Sequence, residues 1–374
     1  MVDGDVSEPL VLHVIPTPAA RGAQREARAL ADRLDAPGVR RHRVLCLVSA
    51  AKAAEPQVSV VAVDYALEDG RGPRDAVGFD PRLVWRLRRR LAGLAPVLVV
   101  AHGGESLKYL VPALFPRRCP LVYYAIGTLA QSAHHPLRRS MWRFLARRPD
   151  LVTAEGAEVL EECRTVLGVP DRRLVLVPNG RDPEEFHPEP GGADRAVPVV
   201  SFVGALNHQK RPDRFIEVVA ALRAEGLEFR ALAVGDGPLA SSLVAPAAAA
   251  GVELLGPRGD MADVFQGTDI FVFPSLPKGE GMPGVLIEAG LSAVAVVATA
   301  VPGVDAIVAD GETGLVVDHD DFDAMVAAVA TLLSDPDRRR AMGAAARARC
   351  AGLFSLEVVA SGWRAALAPL LAGT

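Results

Sequence analysis

Short apolar runs rich in β-branched residues recur along the chain, and a helical pattern follows each of them. In the first half these runs are LVLHVI, HRVLCLV, VSVVAV, PVLVVAH, PLVYYAI and DLVTA. In the second half they are VPVVSFVG, FRALAVGDG, VELLG, DIFVFPS, AVVAT and GLVV. Continuous apolar strands that alternate with helices are typical of parallel sheets covered on both faces. The pattern therefore predicts an α/β protein built from doubly wound, Rossmann-like sheets.

One helix can be placed from its periodicity alone. Phe215, Val218, Val219 and Leu222 occur at positions i, i+3, i+4 and i+7, which gives one apolar stripe. Pro212 precedes this stripe and suits the first turn of a helix, where its missing N–H has no partner to lose. The sequence thus predicts a helix that begins at Pro212.

The chain has 374 residues, and at roughly 100–200 residues per domain this length suggests two domains. Between the two sets of strands lies a segment rich in Pro, Gly and charge and without periodicity, which we interpret as a linker. The predicted boundaries are 1–177 for the first domain, 178–197 for the linker and 198–355 for the second domain. A helix at about 356–374 is a candidate to pack back on the first domain. Because ligands of such sheets bind outside the carboxyl ends of the strands, we expect the site in the cleft between the domains.

Charge is distributed unevenly along the chain, although the formal net charge is only -4. Residues 1–190 carry 27 Lys and Arg against 23 Asp and Glu, and the remaining residues carry 14 against 22. The basic surplus indicates that the first half meets an anionic partner. It is too weak for duplex nucleic acid, which usually requires a concentrated basic face.

The cysteines and the N-terminal residues indicate in which cellular compartment the protein is expected. The four cysteines are well separated in sequence and form no CxxC pair: Cys46, Cys119, Cys163 and Cys350. The first residues, MVDGDVSEP, are acidic, which argues against a signal peptide. We expect a cytoplasmic protein with reduced thiols and without a transmembrane segment.

The stretch EGMPGVLIE at residues 280–288 carries the strongest candidate chemistry. Pro283 suits the first helical position, so the backbone amides from Gly281 to Val285 are predicted to be orphan donors at a helix start, where they favour an anion. Glu288 lies about 6 Å beyond Gly284 along the helix axis, a span that suits the distance from a nucleotide's phosphate to its ribose. Spacing alone leaves a second interpretation open, in which both glutamates are surface acids and the glycines mark a turn.

The sequence resembles the retaining GT-B glycosyltransferases, specifically the large family 4, over most of its length. The glutamate pair after FVFPS resembles the E-x7-E motif of that family. LHVIPTPAARGAQREARALADRL resembles its opening strand, glycine loop and first helix, and VPNGRDPEEFHP resembles its interdomain V-P-N-G-V-D-x-x-x-F-x-P segment. FVGALNHQKRPD, AVGDGP, LLGPRGDMADVFQGTDIFVFPS and VVATAVPGVDAIVADGETGLVV follow in the same order as in the family.

This resemblance implies roles for individual residues in binding a nucleotide sugar. Glu288 would bond the ribose, and Glu280 would contact hydroxyls of the transferred sugar. The loop between them would contact phosphate and sugar through Gly281, Met282, Pro283, Gly284 and Val285. Pro283 lacks an N–H and would contribute only shape.

The resemblance also implies which residues place positive charge beside the diphosphate. Lys210 would neutralise the diphosphate. The family usually has a second cation, an arginine, at the position where this sequence has Ala205. Arg211 is a candidate to supply that missing charge, or it is simply a solvated basic residue. His102 would lie over the donor sugar near the reacting carbon. Further donor-binding candidates are Gly22 and Ala23 in the loop Arg21–Gln24, Gly204 after a strand, and Arg258 near the base.

The resemblance predicts a retaining glycosyltransferase that moves a hexose or N-acetylhexosamine from a nucleoside diphosphate sugar, UDP favoured over GDP, to a small-molecule or lipid-linked acceptor. No cofactor and no metal are expected, because Lys210 and the backbone amides of residues 281–285 would supply the positive charge at the leaving group. His134 and His135 are not expected to bind a metal, since no nearby acid or cysteine completes a metal site. Two alternatives stay open: a nucleotide-sugar epimerase, and a degenerate transferase that serves as a binding partner. The basic stretch 137–148 predicts either a solvated helix or a peripheral contact with an anionic membrane.

Overall fold

The computed structural model describes residues 8–18, 22–48, 62–67, 79–116, 119–127, 135–189 and 195–372. The chain divides into two compact units, one formed by Met1–Asn179 with Leu356–Thr374 and the other by Gly180–Ser355. The division falls within the segment that the sequence suggested as a linker. In the run VSVVAV, residues 58–61 lie outside the described residues.

The first unit is built on a parallel sheet. Its strands are β1 Leu10–Ile15, β2 Arg41–Cys46, β3 Tyr65–Ala66, β4 Leu98–His102, β5 Leu121–Ala125, β6 Leu151–Ala154 and β7 Leu174–Leu176. Parallel pairing joins them in the order β3-β2-β1-β4-β5-β6-β7. Its helices are α1 Gly22–Leu34, α2 Pro81–Leu94, α3 Gly103–Leu114, α4 Pro136–Leu145, α5 Ala157–Thr165 and α13 Leu356–Leu371.

Helices cover both faces of this sheet, which explains why its central strands are apolar at successive positions. Every residue of β4, β5 and β6 is buried. On one face, Leu12 and Val99 pack among residues of α2 and α3. On the other face, Val11 and Val100 pack with Trp363 of α13, which is fully buried. The C-terminal helix is therefore part of the core of the first unit.

The second unit is built on a second parallel sheet. Its strands are β8 Val199–Val203, β9 Arg230–Val234, β10 Val252–Gly256, β11 Ile270–Phe273, β12 Ala295–Thr299 and β13 Gly314–Val317. They pair in the order β10-β9-β8-β11-β12-β13. Its helices are α6 Pro212–Ala224, α7 Ala240–Ala250, α8 Met261–Gln266, α9 Gly284–Leu291, α10 Val304–Ile307, α11 Phe322–Ser334 and α12 Pro336–Phe354.

The sequence pattern anticipated this architecture. Two doubly wound parallel sheets confirm the predicted α/β class. Helix α6 begins at Pro212 as predicted, and Phe215, Val218, Val219 and Leu222 are all fully buried. Among the described residues, no helix combines the length and the apolar character that crossing a bilayer requires.

Candidate active site

The strand order of the second sheet reverses between β8 and β11, which pair side by side at its centre. The connections that leave these two strands run to opposite faces of the sheet, and open α/β sheets bind ligands at such a point. The loop after β8 covers residues 204–211, and the loop after β11 covers residues 274–283. Both loops carry charged residues that the sequence had selected, Lys210 and Arg211 in the first and Glu280 in the second.

The structure brings these two charged side chains together. The Nζ atom of Lys210 lies 2.6 Å from Oε1 of Glu280, and it also lies 5.0 Å from the ring centroid of Phe273. Glu280 is only 4% exposed, so its carboxylate is largely removed from water. The ion pair with Lys210 therefore offsets the cost of burying that negative charge in the folded protein. The ammonium and the carboxylate therefore hold each other in place at the reversal point of the sheet.

Further hydrogen bonds fasten the two loops to each other. The backbone N–H of Leu276 donates to the carbonyl oxygen of Gln209 at 2.8 Å. The Gln209 side-chain amide donates to Glu280 Oε1 at 3.3 Å. Within the first loop, the backbone N–H of Lys210 donates to Asn207 Oδ1 at 2.9 Å. The position of the lysine thus depends on both loops.

Helix α9 begins directly after the second loop. Its first residue is Gly284, and Pro283 is the residue before it, in an extended conformation. The expectation that Pro283 occupies the first helical position is wrong by one residue, because its φ of -73° suits either place and its ψ of 96° is not helical. Among the described residues, no side chain caps this helix start, and its first turn contains no acid. The start of α9 therefore keeps the positive end of the helix dipole available to an anion.

Two glycine contacts fix the shape of the loops around this point. A Cβ on Gly303, whose φ is +77°, would lie 2.1 Å from the carbonyl oxygen of Gly281. A Cβ on Gly235, whose φ is +143°, would lie 1.9 Å from the carbonyl oxygen of Gly204. Both approaches are too close for any side chain. The loops at 204 and 281 are thus packed against neighbouring turns that require glycine.

Glu288 lies one turn into α9, and its partner was not anticipated. Arg181 donates from Nε to Glu288 Oε1 at 2.6 Å, and both side chains are largely buried. A Cβ on Gly284 would lie 2.2 Å from the Nη2 atom of Arg181, so the guanidinium lies against the first residue of the helix. Arg181 is a functional candidate that sequence reasoning missed. The available signal was its place in VPNGRD, where the quoted family segment has a valine.

The other two basic candidates of this unit are engaged by nearby acids. Arg211 has a φ of +52°, and its Nε donates to Asp213 at 2.9 Å. Arg258 is exposed, and its Nε donates to Asp260 at 2.7 Å. This ion pair raises the pKa of Arg258 and lowers that of Asp260 to about 2. Donor binding by either arginine stays a prediction.

The first sheet reverses between β1 and β4, and two of the predicted sites of this unit lie there. His102 is the last residue of β4 and precedes α3. Gly22 and Ala23 are the first two residues of α1, the helix that follows β1. Arg21 and His134 lie outside the described residues, and His135 caps α4 by accepting the Leu137 N–H at 3.3 Å.

His102 ends a chain of three buried histidines. Nε2 of His102 lies 2.9 Å from Nδ1 of His13, and Nε2 of His13 lies 3.0 Å from Nδ1 of His42. Burial lowers the pKa of all three, to about 4 for His42 and about 3 for His102, and the neighbouring histidines lower that of His13 further. The three rings are therefore neutral at pH 7. Among the described residues, Nδ1 of His102 is buried without a hydrogen-bond partner.

Two glycosyltransferase family descriptions match consecutive parts of the chain. Glycosyltransferase Family 4 matches residues 20–185, and Glycosyl transferases group 1 matches residues 197–335. A D-inositol 3-phosphate glycosyltransferase of Nocardia farcinica is 33% identical over 276 residues, which are 66% of this chain and 60% of the relative. A GDP-mannose-dependent alpha-(1-6)-phosphatidylinositol monomannoside mannosyltransferase of Mycolicibacterium smegmatis is 32% identical over 233 residues, 57% of this chain and 60% of the relative. The chain thus spans about three fifths of the length of these relatives.

Solved structures resemble the fold along nearly the whole chain. Anabaena Alr3699/HepE in complex with UDP and glucose has a TM-score of 0.80 at 19% identity, over 97% of this chain and 100% of that one. Sucrose-phosphate synthase from Thermosynechococcus elongatus has a TM-score of 0.78 at 20% identity, over 98% and 100%. The two parallel α/β units and these likenesses define a glycosyltransferase fold of the GT-B class. Within that class, the chain belongs to the family 4-like glycosyltransferases, as the sequence resemblance predicted.

Proposed function

We propose that the protein is a retaining hexosyltransferase, which moves a hexose or N-acetylhexosamine from a nucleoside diphosphate sugar to an acceptor hydroxyl. The observation that carries this proposal is the 2.6 Å ion pair between Lys210 and Glu280, which joins the loops at the reversal point of the second sheet. A cation and a carboxylate side by side suit the two ends of the bond to be broken. One end is a phosphate that leaves with negative charge, and the other is a sugar rich in hydroxyls.

Each partner of the ion pair keeps capacity for the donor. An ammonium group has three N–H donors, so Lys210 can hold Glu280 through one of them and offer the others to phosphate oxygens. A carboxylate has two oxygens, and because Lys210 contacts Oε1, we assign Oε2 of Glu280 to a sugar hydroxyl. The start of α9, at Gly284, adds partial positive charge for the phosphate.

The proposed reaction breaks the bond between the anomeric carbon and the phosphate oxygen, and the electron pair stays on the phosphate. Lys210 and the start of α9 stabilise that charge because they are fixed before the reaction begins. The acceptor oxygen then bonds to the anomeric carbon on the face that the phosphate leaves, and the acceptor's proton passes to the phosphate. His102 is assigned to the donor sugar. The scheme needs no metal ion because the chain itself supplies the positive charge.

The proposal predicts transfer from a sugar nucleotide in the presence of a chelator. We expect nucleoside diphosphate release and an acceptor product of unchanged anomeric configuration, read by NMR, with rates in EDTA within about twofold of those in Mg²⁺, since the charge comes from Lys210 and the helix. UDP- and GDP-linked donors both belong in the assay, because one structural relative is described with UDP and one sequence relative as GDP-mannose-dependent. Inositol phosphates and phosphatidylinositol mannosides are the first acceptors to test, following the printed names of the relatives.

The same assay separates the alternatives. A new sugar nucleotide formed from the donor alone would indicate an epimerase. Tight donor binding without hydrolysis or transfer would indicate a binding partner. Loss of activity in EDTA with recovery in Mg²⁺ would contradict the metal-free scheme.

Helix α4 supports a further partner, an anionic membrane surface. It exposes Leu137, Met141 and Phe144 on one stripe, at i, i+4 and i+7, while Trp142 and Leu145 face the core. Three exposed arginines lie on the same helix: Arg138, Arg139 and Arg143. An apolar stripe flanked by cations is typical of helices that lie in the membrane interface. We therefore include peripheral membrane contact through α4 in the proposal.

Replacing Leu137 and Phe144 together by serine is expected to weaken binding to vesicles that contain phosphatidylglycerol by at least about tenfold. Each side chain contributes about 1.5–3 kcal/mol when fully buried, and partial insertion contributes a share of this. Co-sedimentation measures the change, and Val244→Ser on α7 is a matched control, because Val244 is an exposed apolar residue of the second unit. Equal binding of the wild type to vesicles of neutral lipid alone would contradict the role of the arginines.

A further inference from the structure

The three linked histidines lie on three neighbouring strands of the first sheet. His13 belongs to β1, His42 to β2 and His102 to β4, and β1 lies between the other two strands. The rings meet end to end, because Nε2 of His102 lies 2.9 Å from Nδ1 of His13 and Nε2 of His13 lies 3.0 Å from Nδ1 of His42. A continuous chain of ring nitrogens thus connects His102, which the proposed function assigns to the donor sugar, with a strand two positions away in the sheet.

The two contacts tie the tautomers of the three rings together. A neutral imidazole has one N–H and one bare nitrogen, so His13 must donate in one contact and accept in the other. If it donates from Nε2 to His42, then its Nδ1 accepts from Nε2 of His102. If it donates from Nδ1, both hydrogen bonds run the other way. All three rings therefore carry their hydrogen on the same nitrogen, either Nε2 throughout or Nδ1 throughout.

The inner end of the chain favours the Nε2 arrangement. Among the described residues, Nδ1 of His102 is buried without a hydrogen-bond partner. In the Nδ1 arrangement this atom would be an orphan N–H, a group that is rare in protein interiors because it is costly to leave unpaired. In the Nε2 arrangement it is a bare acceptor. An added Cβ on Gly103, the next residue, would meet no atom within 4 Å, so there is open space beside this residue. A bare Nδ1 suits a ligand hydroxyl, which can donate, and does not suit a phosphate oxygen, which only accepts.

We propose that His13 and His42 are positioning residues, which hold His102 in the tautomer with its hydrogen on Nε2 and so keep its Nδ1 as an acceptor for a hydroxyl of the donor sugar. The contact with the sugar rests on the proposed function, since that function assigns His102 to the donor. The common tautomer is a property of the free protein. Both histidines then act on the sugar only through His102.

NMR of the free protein tests the common tautomer. With all eight histidines labelled with ¹⁵N, long-range ¹H–¹⁵N correlations at about pH 7.5, above the ordinary pKa of histidine, distinguish the two neutral forms and the imidazolium. His13→Gln, His42→Gln and His102→Gln assign the three rings, each by the loss of one set of signals. We expect the Nε2–H pattern at all three rings. The Nδ1–H pattern at His102, or different tautomers within the chain, would overturn the inference.

Kinetics test the positioning role from the far end of the chain. His42→Leu removes the outermost ring without altering His102, and kcat/KM for the sugar nucleotide is expected to fall about tenfold, as for the loss of one oriented hydrogen bond. The Kd of UDP or GDP should stay within about twofold, since these ligands lack the transferred sugar. His42→Gln should restore kcat/KM to within about threefold of the wild type, because its amide can accept from His13. Leucine suits a buried position better than glutamine, so a merely structural role predicts the opposite order of the two variants.

The remaining outcomes separate the inference from the proposed function. A kcat/KM of His42→Leu equal to that of the wild type, or no better activity in His42→Gln, would overturn the positioning role. A switch of the rings to Nδ1–H when the sugar nucleotide is added would overturn the role of Nδ1 as an acceptor. His319→Gln, a histidine of the second unit outside the chain, is the matched control and should change none of these quantities. A wild type that neither binds nor uses any donor would contradict the proposed function and the contact with the sugar, while the spectrum of the free protein would still decide the common tautomer.

Discussion

Replacing Lys210 by alanine is expected to lower kcat by about 100- to 1000-fold, the loss that follows removal of one fixed donor to a developing negative charge. The lysine lies at the reversal point of the second sheet, where its ammonium is held by Glu280 and its backbone N–H donates to Asn207 Oδ1 in the same loop. Because the interaction strengthens as the phosphate leaves, KM should change much less than kcat. Steady-state kinetics with saturating acceptor measure both constants.

The same substitution also leaves Glu280 as a buried carboxylate without its cation, which costs stability. The melting temperature therefore has to accompany the kinetics, and the double variant Lys210→Ala with Glu280→Gln removes the uncompensated charge. The melting temperature of the double variant should return toward that of the wild type, which shows how much of the destabilisation comes from the unpaired carboxylate. Its kcat should stay low, because it lacks Lys210 and also alters Glu280, which is assigned to the donor sugar. Lys278→Ala, an exposed lysine of the loop after β11, is the control for loss of a nearby charge. A kcat of Lys210→Ala that matches the wild type would remove the lysine from the mechanism.

Acidification from pH 7 to pH 5 is expected to destabilise the first unit by about 6 kcal/mol, which is comparable to the whole stability of many domains. The pKa of each of the linked histidines, His13, His42 and His102, lies below the ordinary value because of burial. They stay neutral in the folded unit, while in the unfolded chain they take up protons as the pH falls through about 6.5. Their contribution is thus complete above that pH and is lost below it, at about 2 kcal/mol for each histidine by pH 5.

Tryptophan fluorescence isolates this effect, because all three tryptophans, Trp85, Trp142 and Trp363, belong to the first unit. Urea titrations at several pH values give the slope of the unfolding free energy. His42→Gln keeps a donor and an acceptor toward His13 but no longer titrates, so the slope should fall by about one third. His208→Gln changes an exposed histidine of the second unit and should leave the slope unchanged. An unaltered slope in His42→Gln would refute the assignment.

Most of the fold could be predicted because its strands and helices show in the order of apolar and polar residues over short stretches of sequence. Runs of buried apolar residues gave the central strands, and the stripe from Phe215 to Leu222 gave α6 with its first residue. The start of α9 was predicted one residue early, because a proline fits the position before the helix as well as the first position within it. Such boundaries depend on the ψ angle that the neighbouring loop imposes.

The candidate site could be predicted only in part. The motif order of the sequence selected Lys210, Glu280 and Glu288, and the structure brings the first two into contact. That motif order did not select Arg181, which lies 107 positions from Glu288 in the chain. The partners of His102 were equally hidden, since His13 is 89 positions away.

What the sequence by itself determined is therefore the class of the fold, its family and the charged residues that surround the expected donor. These follow from periodicity and from motifs, which are properties of neighbouring residues. Only the tertiary structure decided which charges meet, because the order of strands in the sheets and the packing of loops on their edges bring distant residues together. Arg181 against Gly284 and Glu288 is the clearest case, since the free energy of that contact depends on a distance that local sequence does not encode.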